Sequence, residues 1–347
     1  MKICHVNLAS GYHGGENQTL QLIKQQVELG YDLTVVANPS SPFADAVQAL
    51  GCHYVPTKHF LLKHQKSITQ GCQAIHVHEG RAIYWALIQH LLYGVPYIVT
   101  RRIDNPLKKK WLSNLAYSKA SMLVGLSREI VSRIQQAFPG REVHCIPSSP
   151  VRYPNQKECI EAIKERFGHD YLVIHAANML GHKGFDVTIE AARRLDKQDS
   201  NIHFALLGDG KARTELEAQA KGLSNVSFVG KQSDMGNWFA AADMLVHPSY
   251  SEGLGSVILE ALDAGLPVTA SNAGGIPDII EHQCSGLLIE PGNGEQLAQA
   301  VLEIKNNHEL NASLLAGAQE KLKEFRIEHT AQRYQSLYLL LSKQGIN

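Results

Sequence analysis

The sequence predicts an α/β protein built from two doubly wound, Rossmann-like domains. Short apolar runs alternate with longer segments of helical periodicity, which is typical of βαβ units and parallel sheets. This alternation restarts after a stretch that contains several Pro and Ser residues, 146–154. The chain has 347 residues, enough for two domains of roughly 150 residues each.

Five apolar runs of strand length precede the Pro-containing stretch, and helical patterns such as that of residues 19–29 lie between them. They predict an N-terminal domain over residues 1–150. Its strands are placed at Lys2–Leu8, Asp32–Ala37, Ala74–His78, Tyr97–Thr100 and Met122–Leu126.

Five similar runs follow and predict a C-terminal domain over residues 151–329. Residues 328–343 carry apolar and aromatic side chains at helical spacing with no strand after them. We therefore expect a closing helix within 330–347, which must bury its apolar face on either domain, and we place it on the N-terminal one. The strands of the second domain are placed at Tyr171–Ala176, His203–Leu207, Val226–Val229, Met244–His247 and Pro267–Ala270.

Composition indicates a globular protein, with 44% hydrophobic and 19% charged residues. The first residues do not resemble a signal peptide or a membrane anchor, which predicts a cytoplasmic protein. Six cysteines without metal-ligand or redox spacing are expected to be reduced and mostly buried.

Charge is distributed unevenly, although its sum is zero. Residues 1–150 hold 15 Lys and Arg against 8 Asp and Glu, which leaves the remainder acidic. A basic domain suits an acidic acceptor, a membrane surface or nucleic acid, and a solvated surface without a partner explains it equally well. No other feature of the sequence favours binding of nucleic acid, so we expect no nucleic-acid partner.

The segment with the most specific chemistry begins at Glu252, on a Gly-rich loop after the fourth strand of the C-terminal domain. Ligands of open α/β sheets bind at such strand ends. Gly253 and Gly255 permit close approach of the backbone to a ligand, and Ser256 is placed to cap a helix whose first amides form an anion site. Glu260 lies about one turn into that helix, where its carboxylate could bind vicinal hydroxyls. Structural roles for both glutamates are the alternative.

This segment, with residues 271–277 downstream, resembles the signature of family 4 glycosyltransferases, which are retaining enzymes of the two-Rossmann-domain GT-B type. The resemblance extends over nearly the whole chain and implies two domains that face each other across a cleft. It implies that Glu252 contacts hydroxyls of the donor sugar and that Glu260 binds the ribose of the nucleotide. The backbone cradle that the resemblance implies around the donor comprises Gly253, Leu254, Gly255 and Ser256.

The same resemblance assigns the donor diphosphate to a Lys-Gly pair that begins at Lys183. An ammonium beside a departing diphosphate stabilises the charge that develops there, so Glu252 and Lys183 are the expected catalytic residues. The family commonly has an Arg ahead of this Lys, where this chain has Asn178. His182 or Lys211 could supply the missing second cation.

We expect neither a metal nor a cofactor. The sequence lacks the Asp-x-Asp motif that binds metal and diphosphate in the other major glycosyltransferase fold. Lys183 and helix amides would take the place of the metal, and the nucleoside-diphosphate sugar would be a co-substrate.

Gly14 and Gly15 lie between the first strand and the first helix, in a loop that resembles the family's Gly-Gly-x-Glu loop. The resemblance implies that this loop approaches the donor phosphates. Its spacing is one residue shorter than the family's pattern, so we assign the role to the two glycines and not to Glu16. A plain tight turn is the alternative.

His78, Arg101 and Arg102 follow two other strands and are expected to line the acceptor side. Many relatives carry a His where this chain has the two arginines. Paired arginines suit bidentate binding of phosphate or carboxylate, which suggests an anionic acceptor such as the phosphorylated or Kdo-containing core of lipopolysaccharide. A structural ion pair with Asp104 is an equal alternative.

A basic and aromatic helical stretch begins with three lysines at 108–110, followed by Trp111. Such a face suits peripheral contact with the inner membrane. The alternative is a helix that packs Leu112 and Leu115 inward and leaves its lysines solvated.

The sequence therefore predicts a retaining glycosyltransferase that moves a hexose or heptose from a nucleoside-diphosphate sugar to a glycan or lipid-linked acceptor. A sugar-nucleotide epimerase or a phosphorylase of the same fold is the enzymatic alternative. A non-catalytic subunit that binds sugar nucleotides is another, suggested by Asn178 and by the arginines that replace the usual His.

Overall fold

The structure is a computed structural model, which describes residues 1–103, 107, 110–168, 170–198 and 201–344. The chain divides into two compact units. The N-terminal unit comprises Met1–Ser149 together with Phe325–Asn347, and the C-terminal unit comprises Pro150–Glu324. The chain therefore returns to its first unit at its end.

A parallel sheet forms the centre of the N-terminal unit. Its strands are β1 (Lys2–Asn7), β2 (Asp32–Ala37), β3 (His53–Pro56), β4 (Ala74–Val77), β5 (Tyr97–Arg101), β6 (Met122–Gly125) and β7 (Val143–Cys145). They lie in the order β3-β2-β1-β4-β5-β6-β7. The order reverses between β1 and β4, and such a reversal is the switch point where doubly wound sheets bind ligands.

Helices join these strands, as parallel pairing requires. In the N-terminal unit, the helices before the linker (residues 146–154) are α1 (Gly14–Glu28), α2 (Pro42–Ala49), α3 (Lys66–Thr69), α4 (Ala82–Tyr93), α5 (Trp111–Lys119) and α6 (Arg128–Ala137). Helix α6 is capped by the Ser127 side chain, which accepts a hydrogen bond from the Ile130 amide at 3.3 Å.

The C-terminal unit has a second parallel sheet. Its strands are β8 (Tyr171–Ala176), β9 (Ile202–Leu207), β10 (Val226–Gly230), β11 (Met244–His247), β12 (Val268–Ser271) and β13 (Leu287–Ile289). Their order is β10-β9-β8-β11-β12-β13, so the switch point of this sheet lies between β8 and β11.

Eight helices follow within the described part of the C-terminal unit, and α8 and α13 pack together over the sheet to close its core. The helices are α7 (Lys157–Arg166), α8 (Phe185–Leu195), α9 (Arg213–Gln219), α10 (Met235–Ala241), α11 (Ser256–Asp263), α12 (Ile276–Ile279), α13 (Gly294–Asn306) and α14 (His308–Leu322).

The closing helix α15 (Ile327–Gln344) belongs to the N-terminal unit and packs against α1. Its Tyr334, Leu337 and Tyr338 are buried in the same core as Ile3 of β1 and Ile98 of β5. The last helix of the chain therefore completes the core of the first sheet.

The predicted fold class is confirmed, since both sheets are parallel and doubly wound. All ten predicted strands are present, with ends within one residue of their expected positions. Three strands were not predicted, and each is the edge strand of a sheet: β3, β7 and β13. Helix α1 begins at Gly14, earlier than the predicted pattern at Thr19.

The cysteines depart from expectation. We expected mostly buried thiols, but Cys4 alone is buried, and Cys145 and Cys284 are exposed. Burial of a thiol depends on the tertiary fold, which the spacing of cysteines along the chain does not determine. Among the described helices, none combines the length and apolarity needed to cross a bilayer.

Candidate functional site

The candidate site of the C-terminal unit lies at the carboxyl ends of β8 and β11, the two strands of its switch point. Lys183 follows β8, in a single 3-10 turn before α8. Glu252 follows β11, in the loop before α11. The sheet brings these distant residues together, with Lys183 Nζ 2.7 Å from Glu252 Oε2.

Glu252 has a second partner in His247, the last residue of β11. His247 Nε2 lies 2.8 Å from the same Glu252 oxygen, and Ser249 Oγ lies 3.1 Å from that ring nitrogen. The side chains of Lys183 and Glu252 are 17% and 15% exposed. The cluster is therefore sheltered but still accessible to a ligand.

The ionisation of Glu252 follows from these partners. Burial alone would raise the pKa of this carboxyl, but the hydrogen bond and charge of His247 and the charge of Lys183 lower the pKa to about 2. Glu252 is therefore a carboxylate at neutral pH. A carboxylate only accepts hydrogen bonds, which suits the hydroxyl groups of a sugar.

Two glycines let the neighbouring loops touch. Gly184 has a φ of +72°, and a Cβ there would lie 1.9 Å from the Pro248 carbonyl oxygen. Gly274, with a φ of +55°, would place a Cβ 2.1 Å from the Glu252 carbonyl oxygen, and the Gly275 amide donates to that oxygen at 2.9 Å. The downstream part of the signature thus holds the Glu252 backbone in place.

Helix α11 begins at Ser256, and its N-cap is Gly255, with a φ of +95°. The prediction that Ser256 caps this helix is wrong, because Ser256 is already the first helical residue and no side chain provides a cap bond. The left-handed cap conformation explains why glycine stands there. Leu254 is buried and anchors the short loop that Gly253 begins.

Glu260 lies in the second turn of α11 and is buried. Burial raises its pKa to about 8, against the lowering effect of a hydrogen bond with Tyr153. With Tyr153, Gly236 and Asp263 among its neighbours, it lines a cavity of about 230 Å³. Glu252 and Glu260 therefore lie on one segment but have different partners and opposite pKa shifts.

Asn178 follows β8 and is exposed. The loop that contains Lys211 packs directly against it, because Cβ atoms on Gly208 and Gly210 would lie 1.9 and 2.4 Å from the carbonyl oxygens on either side of Asn178. This Gly-x-Gly pattern therefore serves the close packing of two strand-end loops. It brings the exposed Lys211 to the neighbourhood of Asn178, whereas His182 is exposed beside Lys183.

In the N-terminal unit, Gly14 and Gly15 form the start of α1, which follows β1 at the switch point of the first sheet. Glu16 Oε2 accepts a hydrogen bond from the His13 amide at 3.0 Å. Glu16 thus helps to form the helix start, and the glycines remain the residues of this loop suited to close approach by a ligand.

His78 and Arg102 meet at the carboxyl ends of β4 and β5, where Arg102 Nη2 lies 3.3 Å from His78 Nδ1. Arg102 Nη1 donates to Ser148 Oγ at 3.3 Å. A Cβ on Gly15 would lie 3.6 Å from Arg102 Cδ, an ordinary van der Waals contact. The structure therefore brings Gly15, His78 and Arg102 together.

Arg101 points to a different neighbour, since its Nη1 lies 3.3 Å from the Tyr117 hydroxyl. The two arginines therefore have different hydrogen-bond partners, Tyr117 for Arg101 and His78 with Ser148 for Arg102. The alternative partner that we considered from the sequence, Asp104, lies outside the described residues.

Comparison with known proteins identifies the class of enzyme. Residues 156–321, which include the loops of Lys183, Glu252 and Glu260, match the family model of glycosyl transferases group 1. Together with the relatives described next, this match shows that the chain is a glycosyltransferase.

Individual proteins agree with the family match. Alpha-D-kanosaminyltransferase of Streptomyces kanamyceticus is 26% identical over 75% of this chain and 75% of its own. Lipopolysaccharide glucosyltransferase WaaG of Escherichia coli (strain K12) is 36% identical over 43% of this chain and 41% of its own. The crystal structure of Anabaena Alr3699/HepE in complex with UDP and glucose has a TM-score of 0.81 at 20% identity, covering 97% of this chain and 99% of that one. This likeness shows the shared GT-B fold.

Sequence reasoning missed two residues of this glycosyltransferase that contact its candidate site. His247 is the first of them, and its signal in the sequence is a polar ring at the carboxyl end of a central strand, where site residues lie. Tyr153 lies in the linker before α7, and its contact with Glu260 depends on the tertiary fold. No local pattern indicates that contact.

The predicted membrane-facing stretch of the glycosyltransferase is described in part. Lys108 and Lys109 lie outside the described residues. Trp111 begins α5 and is 76% exposed, whereas Leu112 and Leu115 are half-buried. The alternative of inward-packed leucines therefore accounts for the helix but leaves the Trp111 side chain in solvent.

One group of described side chains has the composition of a metal site. The ring nitrogens of His5, His76 and His78 all lie within 4.8 Å of one another, and all three rings are buried in the N-terminal unit. A metal ion bound there would take one nitrogen from each ring.

Proposed function

We propose that this glycosyltransferase takes a sugar from a nucleoside-diphosphate sugar and transfers it, with retention of configuration, to an anionic glycan or glycolipid. The observation that carries the proposal is the cluster of Lys183, Glu252 and His247 at the switch point of the C-terminal unit. Similarity to Alr3699/HepE, whose structure contains UDP and glucose, supports the donor class.

Lys183 is proposed to bind the donor diphosphate. Its ammonium is balanced by one carboxylate at 2.7 Å, and a diphosphate offers more charge to the same group. As the bond between sugar C1 and the diphosphate oxygen breaks, negative charge grows on that oxygen, and a nearby ammonium lowers the barrier. Lys211 is proposed as the second cation, in place of the Arg that relatives carry at Asn178.

Glu252 is proposed to orient the donor sugar through hydroxyl groups that donate to its carboxylate. His247 keeps this carboxylate in position at 2.8 Å when Lys183 turns to the diphosphate. The backbone amides of the loop before α11 and of its first residue are proposed to bind phosphate oxygens, because amides at a helix start have no partner within the helix. They belong to Leu254, Gly255, Ser256 and Gly253, and the last of these also donates to Glu252 Oε1 at 3.2 Å.

Glu260 is proposed to bind the ribose. With a pKa of about 8, its carboxyl group keeps a proton in neutral solution. A protonated carboxyl donates one hydrogen bond and accepts others, so it can engage two vicinal hydroxyls at once.

The transfer itself is proposed to be metal-free and without a covalent enzyme intermediate. The acceptor hydroxyl attacks C1 from the face that the diphosphate leaves, and its proton passes to the departing phosphate oxygen. The new C1–O bond replaces the broken one on the same face, which retains the configuration. The protein's part is positioning and charge stabilisation.

Arg102 is proposed as the anion-binding group for the acceptor, with His78 and the Gly14–Gly15 backbone beside it. WaaG is named for its action on lipopolysaccharide, and a phosphorylated lipopolysaccharide core is therefore the acceptor class that we propose. We also propose peripheral contact with the cytoplasmic membrane face, because α4 packs against α5 and both expose large apolar side chains. These side chains are Leu91, Leu92 and Trp111.

The proposal is tested first by thermal unfolding in the presence of nucleoside diphosphates and their sugars. A donor present at a hundred times its Kd stabilises the folded state by about 2.7 kcal/mol. Transfer to a panel of lipopolysaccharide cores is then measured for wild type and for Glu252→Ala, with Glu190→Ala on the exposed face of α8 as control. Glu252→Ala should abolish transfer, and the control should not.

Other outcomes would replace the proposal. Donor binding without hydrolysis or transfer would indicate a non-catalytic subunit. Conversion of the donor sugar without any acceptor would indicate an epimerase, and a requirement for inorganic phosphate would indicate a phosphorylase.

A further inference from the structure

A continuous series of hydrogen bonds crosses the interior of the N-terminal unit and begins at Arg102. It joins side chains from β1, β4, β5, α1 and α15, and all of its members except Arg102 are buried. We name it the Arg102 relay. Its members, in order, are Arg102, His78, His5, Gln26, Tyr338, His76, Thr100 and Tyr334.

The direction of the first bonds is set by the guanidinium, which has donors but no acceptor. Arg102 Nη2 lies 3.3 Å from His78 Nδ1, so Nδ1 must accept and His78 carries its proton on Nε2. His78 Nε2 lies 2.8 Å from His5 Nδ1. Since Nε2–H donates there, His5 Nδ1 accepts, and the His5 proton is also on Nε2.

Gln26 continues the relay in the same direction. His5 Nε2 lies 2.7 Å from Gln26 Oε1, which can only accept. The Gln26 amide nitrogen is thereby turned to the Tyr338 hydroxyl, to which it donates at 3.2 Å. The charge of Arg102 therefore fixes the orientation of the amide through this series of donors and acceptors.

The last bonds involve the closing helix α15. Tyr338 accepts from Gln26 and therefore gives its own hydrogen to His76 Nδ1, 2.7 Å away. His76 then carries its proton on Nε2 and donates to Thr100 Oγ1 at 2.8 Å. The Thr100 hydroxyl passes its hydrogen to Tyr334, whose oxygen is 2.9 Å away.

We propose that the Arg102 relay fixes His5, His76 and His78 as neutral rings with the proton on Nε2, and that Gln26 and Tyr338 thereby act as positioning residues for the Arg102 guanidinium. The functional consequence rests on the proposed role of Arg102 in binding an anion. The hydrogen-bond directions do not depend on that role.

The relay leaves the charge of Arg102 available to a ligand. Its hydrogen-bond partners Ser148, Thr19 and His78 are all neutral acceptors, and its Nε is buried without a hydrogen-bond partner among the described residues. Burial lowers the pKa of His78, and His76, His5 and Arg102 lower it further, which keeps that ring neutral. Burial lowers the pKa of Arg102, while Glu16 is close enough to raise that pKa through its charge. A fixed guanidinium whose hydrogen-bond partners are neutral favours binding of an anion.

The relay also accounts for the three histidines without a metal. Both nitrogens of His5, His76 and His78 are engaged, so all six ring nitrogens have partners. A metal ion would have to displace hydrogen bonds in each ring and would lie near the cationic Arg102, which disfavours a dication.

The direct test is 15N NMR of the full chain labelled at histidine. The relay predicts that all three rings show an unprotonated Nδ1 and a protonated Nε2. A proton on Nδ1 of any of the three would overturn the proposal. So would one equivalent of zinc released on unfolding of the purified protein.

The positioning role is tested with Gln26→Met, and Gln89→Met is the matched control. Both glutamines are fully buried in helices of the N-terminal unit, and Gln89 bonds to Thr69 and Gln65 outside the relay. Gln26→Met should give His5 a mixture of tautomers. It should also lower kcat/KM for transfer by about tenfold, which is less than the roughly hundredfold loss that a 1 Å misplacement of a reacting group can cause. Gln89→Met should change neither. Equal behaviour of the two variants would overturn the role.

Tyr338→Phe preserves the aromatic packing and removes only the hydroxyl, which keeps the proposal testable if Gln26→Met does not fold. It should shift the His76 Nδ1 resonance, and an unchanged resonance would contradict the relay. Titration of wild type with inorganic phosphate separates the two proposals. A shift of the His78 Nδ1 resonance supports the anion site. Correct tautomers without that shift would support the relay and overturn the anion-binding role of Arg102.

Discussion

Glu252 and Glu260 lie on one loop and helix, yet their surroundings give them opposite ionisation. Burial raises the pKa of both carboxyls. Glu252 has Lys183 and a hydrogen-bonded His247 to stabilise its charge, and its pKa falls to about 2. Glu260 has the hydrogen bond of Tyr153, and its pKa rises to about 8. One carboxyl group is therefore an acceptor, and the other keeps a proton that it can donate.

Replacement of Lys183 by Ala should lower the transfer rate by about 100- to 1,000-fold, the usual cost of removing one group that stabilises a transition-state charge. The loss should be mainly in kcat. Lys197→Ala, an exposed position after the other end of α8, is the control and should retain wild-type activity. Steady-state kinetics with the best donor measures both, and a Lys183→Ala rate within tenfold of wild type would exclude the proposed role.

Glu260→Gln should make the protein less sensitive to alkaline pH. The folded pKa of Glu260, about 8, lies above its ordinary value of 4.5, so between these values the folded state holds a proton that the unfolded state has lost. Stability then falls as pH rises through this window. Glutamine has no proton to lose. The free energy of unfolding of the variant should therefore rise relative to that of wild type between about pH 5 and about pH 9.

Urea unfolding at both ends of that window measures the difference. Glu290→Gln, at an exposed position after β13, controls for the loss of one negative charge. A constant difference between Glu260→Gln and wild type across the window would contradict the raised pKa.

The sequence could predict Lys183, Glu252 and Glu260 because each stands in a local motif. It could not predict His247 as a partner of Glu252 or Tyr153 as a partner of Glu260, since those contacts depend on side-chain direction. The sequence also does not predict the Arg102 relay, because Tyr338 and Gln26 are separated by 312 positions and meet only in the folded unit.

At the scale of elements, central strands were predictable because strands buried on both faces read as continuous apolar runs. The edge strands β3, β7 and β13 have three or four residues each, and partly buried patterns. So short a run carries little apolar signal. From the sequence, glycines in these loops indicate close approach of the backbone to a ligand. In the structure, Gly184, Gly208 and Gly274 instead allow one loop to contact another.

Gly184→Ala should lower the stability of the protein by more than the positive φ of this residue alone explains. Its positive φ costs an L-residue about 1–2 kcal/mol, and the new Cβ would lie 1.9 Å from the Pro248 carbonyl oxygen. Gly222→Ala is the matched control, with a φ of +88° and open space around the Cβ. Urea unfolding should show a larger loss for Gly184→Ala, accompanied by loss of donor binding. Equal losses would mean that the loop contact contributes nothing.

Lys211→Ala tests whether the loop packed against Asn178 supplies the second cation. We expect KM for the donor to rise by about three- to tenfold, because a partly solvated charge–phosphate contact contributes on the order of 1 kcal/mol. Lys221→Ala, at an exposed position after α9, should leave KM unchanged. Donor KM values at low ionic strength provide the measurement. An unchanged KM in Lys211→Ala would place the second cation elsewhere.

At the scale of the whole molecule, the two units follow one plan, a parallel sheet with a cationic residue after the carboxyl end of a central strand: Lys183 after β8 in one and Arg102 after β5 in the other. Two cores were predictable from length and from the restart of the strand pattern. The identity of the acceptor was not, because a basic excess in residues 1–150 fits several kinds of anionic partner.

Substitution of Trp111 tests whether an anionic membrane is one of those partners. An exposed aromatic side chain next to lysines should insert at an anionic membrane interface, and burial of such a side chain contributes about 1.5–3 kcal/mol. Trp111→Ser should therefore weaken binding to phosphatidylglycerol vesicles by at least about tenfold. Leu340→Ser, which removes a side chain 47% exposed on α15, is the control and should bind as wild type. Co-sedimentation should also show weaker binding at high salt and none to phosphatidylcholine. If the two variants sediment alike, the basic excess serves the acceptor and not the membrane.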